Sequence, residues 1–343
     1  MERALRGAGF TERTFDTGEV KLNYAEGPAS GPPLLLIPGQ SMPWQSYQRV
    51  LPELSRRFHV FAVDVRGHGR SGWTPGRYTF HNMGRDFSAL LREVIRAPAI
   101  VSGNSSGGII AVWLAAYAPD LVRGIIPEDP PLFSCEWPRL RDDTWVYTFF
   151  EVCVETLARP EGKDLAGFFS RLEIPVQGDG RLMKFPRPLA VLVGALIRGY
   201  RLLRPTGPVE LPFLPLQVRL FVKGLSEYDP EFTRAFLDGS PGEGFSHEEA
   251  LKRVKCPLLL LQAHSFRHPT LGLVGAMDDA DVRRVLSLVP HAEHVLLSAA
   301  HQIHVDQPKR FIAEVVRFAR DSSHPFPSHE LGGPDDAEMT VLH

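Results

Sequence analysis

Between residues 11 and 130 short apolar runs alternate with amphipathic stretches, which predicts strands interleaved with helices and so a mostly parallel sheet with crossover helices. Strands are expected at Glu12–Asp16, Val20–Ala25, Pro33–Ile37, His59–Val65, Ala99–Ser102 and Gly124–Pro127. Helices are expected near Gln45–Arg57, Asn82–Ile95 and Ser106–Tyr117, the last stopped by Pro119. From about Leu132 to Lys255 the rhythm changes to aromatic and Leu-rich helical segments with few strand signals. Pro205, Pro208, Pro212 and Pro215 crowd one short irregular stretch there. Sheet-like pattern resumes at Pro257–Gln262, followed by a helix near Asp279–Leu288, a strand at His294–Leu297 and a helix at Pro308–Arg320. The expected domains are therefore a core in two pieces, 1–131 and 257–321, with an inserted helical cap at 132–256. A polar, Pro- and Gly-containing tail follows at 322–343.

The balance of 38 Lys+Arg against 40 Asp+Glu gives a formal charge of −2, and the chain is 43 % hydrophobic and 23 % charged. That is ordinary globular make-up without the basic footprint of a nucleic-acid binder, so small molecules are the expected partners. Oligomeric state is not legible. Three cysteines (Cys135, Cys153 and Cys256) in no metal-like spacing argue against a disulfide framework. The N-terminus has no apolar signal core, and the longest purely apolar run, Leu189 to Ile197, is too short to span a bilayer. A cytoplasmic location is the expectation.

The strongest chemical signal is Gly103-Asn104-Ser105-Ser106-Gly107, where a buried strand meets a helix. A G-x-S-x-G at that junction forms a turn so tight that the flanking positions must be small, and it lifts the serine hydroxyl above the sheet edge. Ser105 is the candidate nucleophile. A serine hydroxyl needs a base, and the base an orienting carboxylate. His301, in a loop just past the last expected strand, is the candidate base, with His304 assigned a structural role. The strand ending in Glu128-Asp129 delivers two carboxylates to the same sheet edge; Asp129 is favoured as the acid and Glu128 is the alternative. The backbone N–H groups of Gln40, after Pro38-Gly39, and of Ser106 are the expected oxyanion donors.

Two competing signals are set aside. Gly67-His68-Gly69-Arg70-Ser71-Gly72 matches a dinucleotide fingerprint, but Trp73-Thr74-Pro75-Gly76 follows where a helix would have to open, so it is read as a structural turn. His264, His268, His291 and His294 make a His-rich region without paired metal-ligand spacing. No cofactor and no metal are expected.

With these residues placed, the chain resembles the α/β-hydrolase superfamily over about residues 10–320. The resemblance rests on Ile37-Pro38-Gly39-Gln40, Asp64-Val65-Arg66-Gly67-His68-Gly69-Arg70-Ser71, Gly103-Asn104-Ser105-Ser106-Gly107-Gly108 and His301-Gln302-Ile303-His304. It implies a mostly parallel eight-stranded sheet flanked by helices, with the insert in the cap position. Three departures stand out: Pro38 where His commonly precedes the oxyanion Gly, Ala300 in place of a frequent Gly, and Phe266 at the common acid position. The last agrees with an acid after the sixth strand. Dehalogenase and epoxide hydrolase activities would need Asp in place of Ser105. Phe58–Asp64, Trp73-Thr74-Pro75, the serine motif, Glu128-Asp129 and Glu227-Tyr228-Asp229-Pro230 are similar to bacterial zearalenone lactonases, mainly within the first 135 residues. This implies a serine hydrolase acting on a carboxylic ester or lactone of a bulky hydrophobic molecule. The competing class is a hydrolase-fold ligand receptor or lyase without ester turnover. The substrate-binding residues are unknown at this level.

Overall fold

The structure, a computed structural model, describes residues 3–321 apart from 160–162, 179, 185 and 206. The tail expected at 322–343 lies outside the described residues. β1 (Thr11–Asp16), β2 (Lys21–Glu26), β3 (Pro33–Ile37), β4 (His59–Val63), β5 (Ala99–Asn104) and β6 (Val122–Glu128) come first. The inserted segment carries a small hairpin of β7 (Glu173–Pro175) and β8 (Leu182–Lys184). β9 (Leu259–Gln262), a hairpin of β10 (Phe266–His268) and β11 (Gly272–Val274), and β12 (Glu293–Leu296) follow. The main sheet has eight strands in the order β1-β2-β4-β3-β5-β6-β9-β12. β1 pairs antiparallel with β2 and β2 antiparallel with β4, and all later pairings are parallel. This is the α/β-hydrolase fold.

The inner strands β3, β4, β5 and β9 are almost wholly buried because both faces of the sheet are covered there, and their side chains alternate between two cores. Leu35, Ile37, Val63, Val101, Ile125 and Leu260 pack on one side with the helices Phe80–Leu90 and Ser106–Tyr117. Leu34, Leu36, Val60, Ile100, Ile126 and Leu261 face the other, against Trp44, Tyr47, Phe311 and Phe318. All eight expected main-sheet strands form. The helix expected at Asn82–Ile95 starts earlier, where Thr79 accepts a hydrogen bond from the Asn82 N–H, and ends as a π-turn at Leu91–Ile95 closed by left-handed Arg96. The stretch Gln45–Arg57 is a 3₁₀ helix (Trp44–Arg49) followed by a single α-turn (Leu51–Leu54). Between β6 and β9 the longer helices are Trp145–Leu157, Arg187–Leu203 and Leu216–Glu227. The two hairpins outside the main sheet have strands of three residues each, too short to show a period in the sequence.

Candidate active site

Ser105 sits between the end of β5 and the helix Ser106–Tyr117 at φ 54°, ψ −124°, a strained conformation for a residue with a side chain. Its surroundings hold it there. Its N–H donates to the Glu128 carbonyl (2.9 Å) and its own carbonyl accepts from Gly108 N–H (2.8 Å). The flanking glycines are required by contact: a Cβ on Gly107 would run into the carbonyl oxygens of Ile37 and Pro38, and one on Gly103 into the Gly107 carbonyl. Gly39 is pressed equally close, since a Cβ there would stand 2.8 Å from the Cβ of Ser105.

His301 lies in the loop after β12. The Asn104 side-chain amide donates to its carbonyl oxygen (2.9 Å) and to the Glu128 carbonyl (3.3 Å), pinning the loop beside the serine turn. Asp129, one residue past β6, adopts φ 43° and so turns its carboxylate along the sheet edge. Its Oδ1 accepts from the Ala263 N–H (3.0 Å) and its Oδ2 lies 2.6 Å from His301 Nδ1. Both oxygens of this buried carboxylate are therefore engaged, and Nδ1 carries the proton that it donates, which leaves Nε2 as the basic nitrogen. Desolvation pulls the imidazole pKa down, but the hydrogen bond and charge of Asp129, with the charge of Glu128 behind it, outweigh that and raise it above its ordinary 6.5. The His301 side chain keeps 45 % of its surface open to solvent.

Glu128 points elsewhere. It is fully buried and accepts from the backbone N–H of His304 (2.9 Å), and its two oxygens lie 2.8 and 2.9 Å from His304 Nδ1. The His304 ring stacks on Tyr47 at 4.0 Å, and Tyr47 donates to the Ile37 carbonyl (3.0 Å). The two neighbouring carboxylates thus serve two histidines three residues apart. Ser105 Oγ makes no hydrogen bond among the described residues, so the serine is brought to the His301 loop by backbone and Asn104 contacts. Its own bond to Nε2 is unmade, a common state of unliganded sites.

The backbone N–H groups of Gln40 and Ser106 donate to no acceptor among the described residues, and both adjoin Ser105: Gly39 next to Gln40 touches it, and Ser106 follows it. The Gln40 side chain is anchored to the helical insert. Its amide donates to the Tyr228 hydroxyl (2.8 Å) and Thr233 (3.1 Å), tying the loop after β3 to the helical insert.

The Gly67–Gly72 stretch is a turn: Gly69 (φ 52°) passes so close to the Asp64 carboxylate that a Cβ would collide with it. That carboxylate accepts from Trp44 N–H, Arg70 N–H and the Asn23 amide. The other histidines part ways, His264 to Gln177, His291 to the Cys256 carbonyl and His294 to Gln262. Among the described residues no three His, Cys, Asp or Glu side chains form a group that could hold a metal. Many insert aromatics pack on one another, with Phe168 5.4–5.8 Å from Phe149, Phe169 and Phe221 between ring centres. Phe213 instead faces solvent. Cavities of about 610 and 540 Å³ are lined by residues such as Tyr200, Leu203 and Phe213, and Trp137, Phe236 and His247, neither touching Ser105. Sequence reasoning missed Asn104 as the tether of the His301 loop, and Tyr228 and Thr233 as the anchors of Gln40. Asn104 lies inside the serine motif, whereas nothing at 228 and 233 announces a partner 188 residues or more away.

The topology and this turn are those of the α/β-hydrolase fold, and the profile described as alpha/beta hydrolase fold matches residues 32–173. The chain is similar to the 2-(acetamidomethylene)succinate hydrolase of Mesorhizobium japonicum, 36 % identical over 120 residues, which is 35 % of this chain and 43 % of that one. A pimeloyl-[acyl-carrier protein] methyl ester esterase of Nitrosospira multiformis is 26 % identical over 311 residues, 88 % of this chain and 100 % of the esterase. The solved E-2-(acetamidomethylene)succinate hydrolase superposes with TM-score 0.59 at 20 % identity, covering 91 % of this chain and 99 % of that one, a likeness of fold. The stronger sequence matches thus span less than half the length of the relatives concerned. Among the described residues no helix is long and apolar enough to cross a membrane.

Proposed function

We propose that the protein is a serine hydrolase cleaving a carboxylic ester or lactone of a bulky hydrophobic molecule, with Ser105, His301 and Asp129 as its triad. Ser105 Oγ attacks the carbonyl carbon while His301 Nε2 takes its proton. Asp129 holds the ring by Nδ1 and balances the imidazolium charge. The negative charge on the carbonyl oxygen is met by the N–H groups of Gln40 and Ser106, the latter at the start of a helix whose dipole adds to the effect. His301 returns the proton to the leaving alkoxide, leaving an acyl-enzyme. Water, deprotonated by the same Nε2, then attacks the acyl carbon, and the carboxylic acid departs as Ser105 recovers its proton. In a lactone the leaving alkoxide stays tethered to the acyl group, so one product, a hydroxy acid, is released.

The observation that carries this reading is the 2.6 Å Asp129–His301 contact at the same sheet edge as the strained Ser105 turn. Esterases and an enol-lactonase among the relatives agree with it. Residues 1–131 and 257–321 form the catalytic core in this reading, and 132–256 a helical cap that shapes the substrate site. The similarity of the first 135 residues to zearalenone lactonases supports a macrocyclic aryl lactone as the specific substrate, and three unpaired cysteines suit a cytoplasmic setting. The test is turnover of aryl esters and macrocyclic lactones by wild type and Ser105→Ala. The variant should lose turnover and stoichiometric labelling by an organophosphonate while keeping its thermal unfolding midpoint. Normal turnover by the variant overturns the proposal, and labelling of a wild type that turns over no ester favours a receptor.

A further inference from the structure

From residue 180 to 209 the chain carries six cations, Arg181, Lys184, Arg187, Arg198, Arg201 and Arg204, and no Asp or Glu, in a protein whose net charge is −2. The same stretch contains β8 and the helix Arg187–Leu203. At 100° per residue, Ala190, Val193, Gly194 and Ile197 fall on one side of this helix and are buried. The opposite side is where a surface helix normally places its charges. Here it holds Pro188, Val191, Leu192, Ala195, Gly199, Leu202 and Leu203, all exposed: Val191 65 %, Leu192 54 %, Leu202 85 % and Leu203 87 %. Arg198 borders this face on one flank, Arg204 is exposed at the C-terminal end of the helix, and Arg201 falls on the side of the buried residues. Met183 on β8 (55 %) and Phe213 just beyond (64 %) extend the apolar surface. Leu203, Arg204 and Phe213 also line the larger cavity, which opens beside the patch.

We infer that this face of the helical insert docks on an anionic lipid surface, with the Arg187–Leu203 helix lying in the interface plane, its outer aliphatic side chains below the headgroups and the exposed Arg198 and Arg204 among them. The charge pattern selects this occupant. A second copy meeting the face across a two-fold axis would oppose cation to cation with no carboxylate from 180–209 to answer them. An anionic membrane instead supplies the complementary charge and accepts protruding aliphatic side chains without needing a matching groove. Among the described residues, Glu173 pairs with Lys184 (2.8 Å) and Glu210 with Lys223 (3.4 Å). The patch carries no residue of the proposed triad or its oxyanion donors.

Flotation of the full chain with vesicles of phosphatidylcholine, alone or mixed with phosphatidylglycerol, tests the inference. Wild type should float with the mixed vesicles and not with phosphatidylcholine alone, and added salt should weaken the binding. The double variant V191E/L203E changes two exposed side chains, so it should keep the wild-type thermal unfolding midpoint yet bind mixed vesicles at least roughly tenfold more weakly. R198A/R204A should lower binding to mixed vesicles at low salt. Absence of wild-type flotation with the mixed vesicles, or equal flotation of V191E/L203E, overturns the inference. Within the first outcome, a wild-type dimer that V191E/L203E converts to monomer would assign the face to a second copy, and a wild-type monomer would assign it to an acidic protein partner. Because flotation is scored without turnover, its failure is distinct from failure of the proposed hydrolase activity.

Discussion

At the scale of single residues, the division of labour between Asp129 and Glu128 is the sharpest question. Asp129 reaches His301 and Glu128 reaches His304, so their substitutions should differ in kind. Asp129→Asn should cost kcat on the order of 10⁴-fold with little loss of stability, because the amide can still fill the space but no longer enforces the tautomer. Glu128→Gln should act chiefly on the unfolding midpoint, since it weakens a buried contact whose loss leaves the His304 ring short of an acceptor. A kcat ratio near one for Asp129→Asn would show that another group orients the base. The raised His301 pKa has a definite sign: in the proposed mechanism the base is the neutral ring, so kcat/KM should rise with pH to a midpoint above 6.5, and residual activity of Asp129→Asn should rise at lower pH. The same shift lends stability that is complete below the unfolded value and lost as pH climbs through the folded one.

At the scale of elements, the serine turn depends on β3, β5 and the helix Ser106–Tyr117 approaching at backbone distance. Gly107→Ala puts a methyl group against two carbonyl oxygens of the loop after β3. It should destabilise by about 1–3 kcal/mol, read as a lowered unfolding midpoint, and reduce turnover by moving Gln40 relative to Ser106. Unchanged stability and turnover would mean that the loop yields freely and the turn is less constrained than its contacts indicate. The link from Gln40 to Tyr228 and Thr233 makes the helical insert part of this construction, since it ties the loop after β3 to the insert.

At the scale of the whole molecule, two buried histidines set a limit on acid tolerance. Burial holds His68 down to about 4, and burial with the Arg284 charge holds His247 down to about 3. His247 Nδ1 accepts the Phe133 N–H (2.9 Å), a bond that protonation there would break. In the unfolded chain both titrate near 6.5, so below that pH the unfolded state binds more protons and these groups subtract stability as acid is added. Asp64, pushed up to about 6 by burial against three donors, works in the opposite sense between about 4 and 6. The clean reading is therefore a difference: His247→Gln, which can accept but does not titrate, should show a smaller fall in unfolding midpoint between pH 6.5 and 4 than wild type. Parallel falls would remove His247 from the account.

The residues that the sequence alone determined are those whose chemistry is local. The inner strands followed from runs of apolar residues, because a strand covered on both faces has few polar positions. The serine turn followed from glycines two places either side of Ser105, since only they tolerate the contact found there. What only the tertiary structure decided involves groups far apart in the chain. Adjacency alone could not separate Asp129 from Glu128, because the choice rests on a positive φ at 129 and on where residues 301 and 304 arrive, more than 170 positions later. The Asn104 tether, the anchoring of Gln40 and the outward apolar face of the Arg187–Leu203 helix are of the same kind. A sequence states which side chains are apolar or polar, but whether a face is covered and which partner a carboxylate meets are properties of packing.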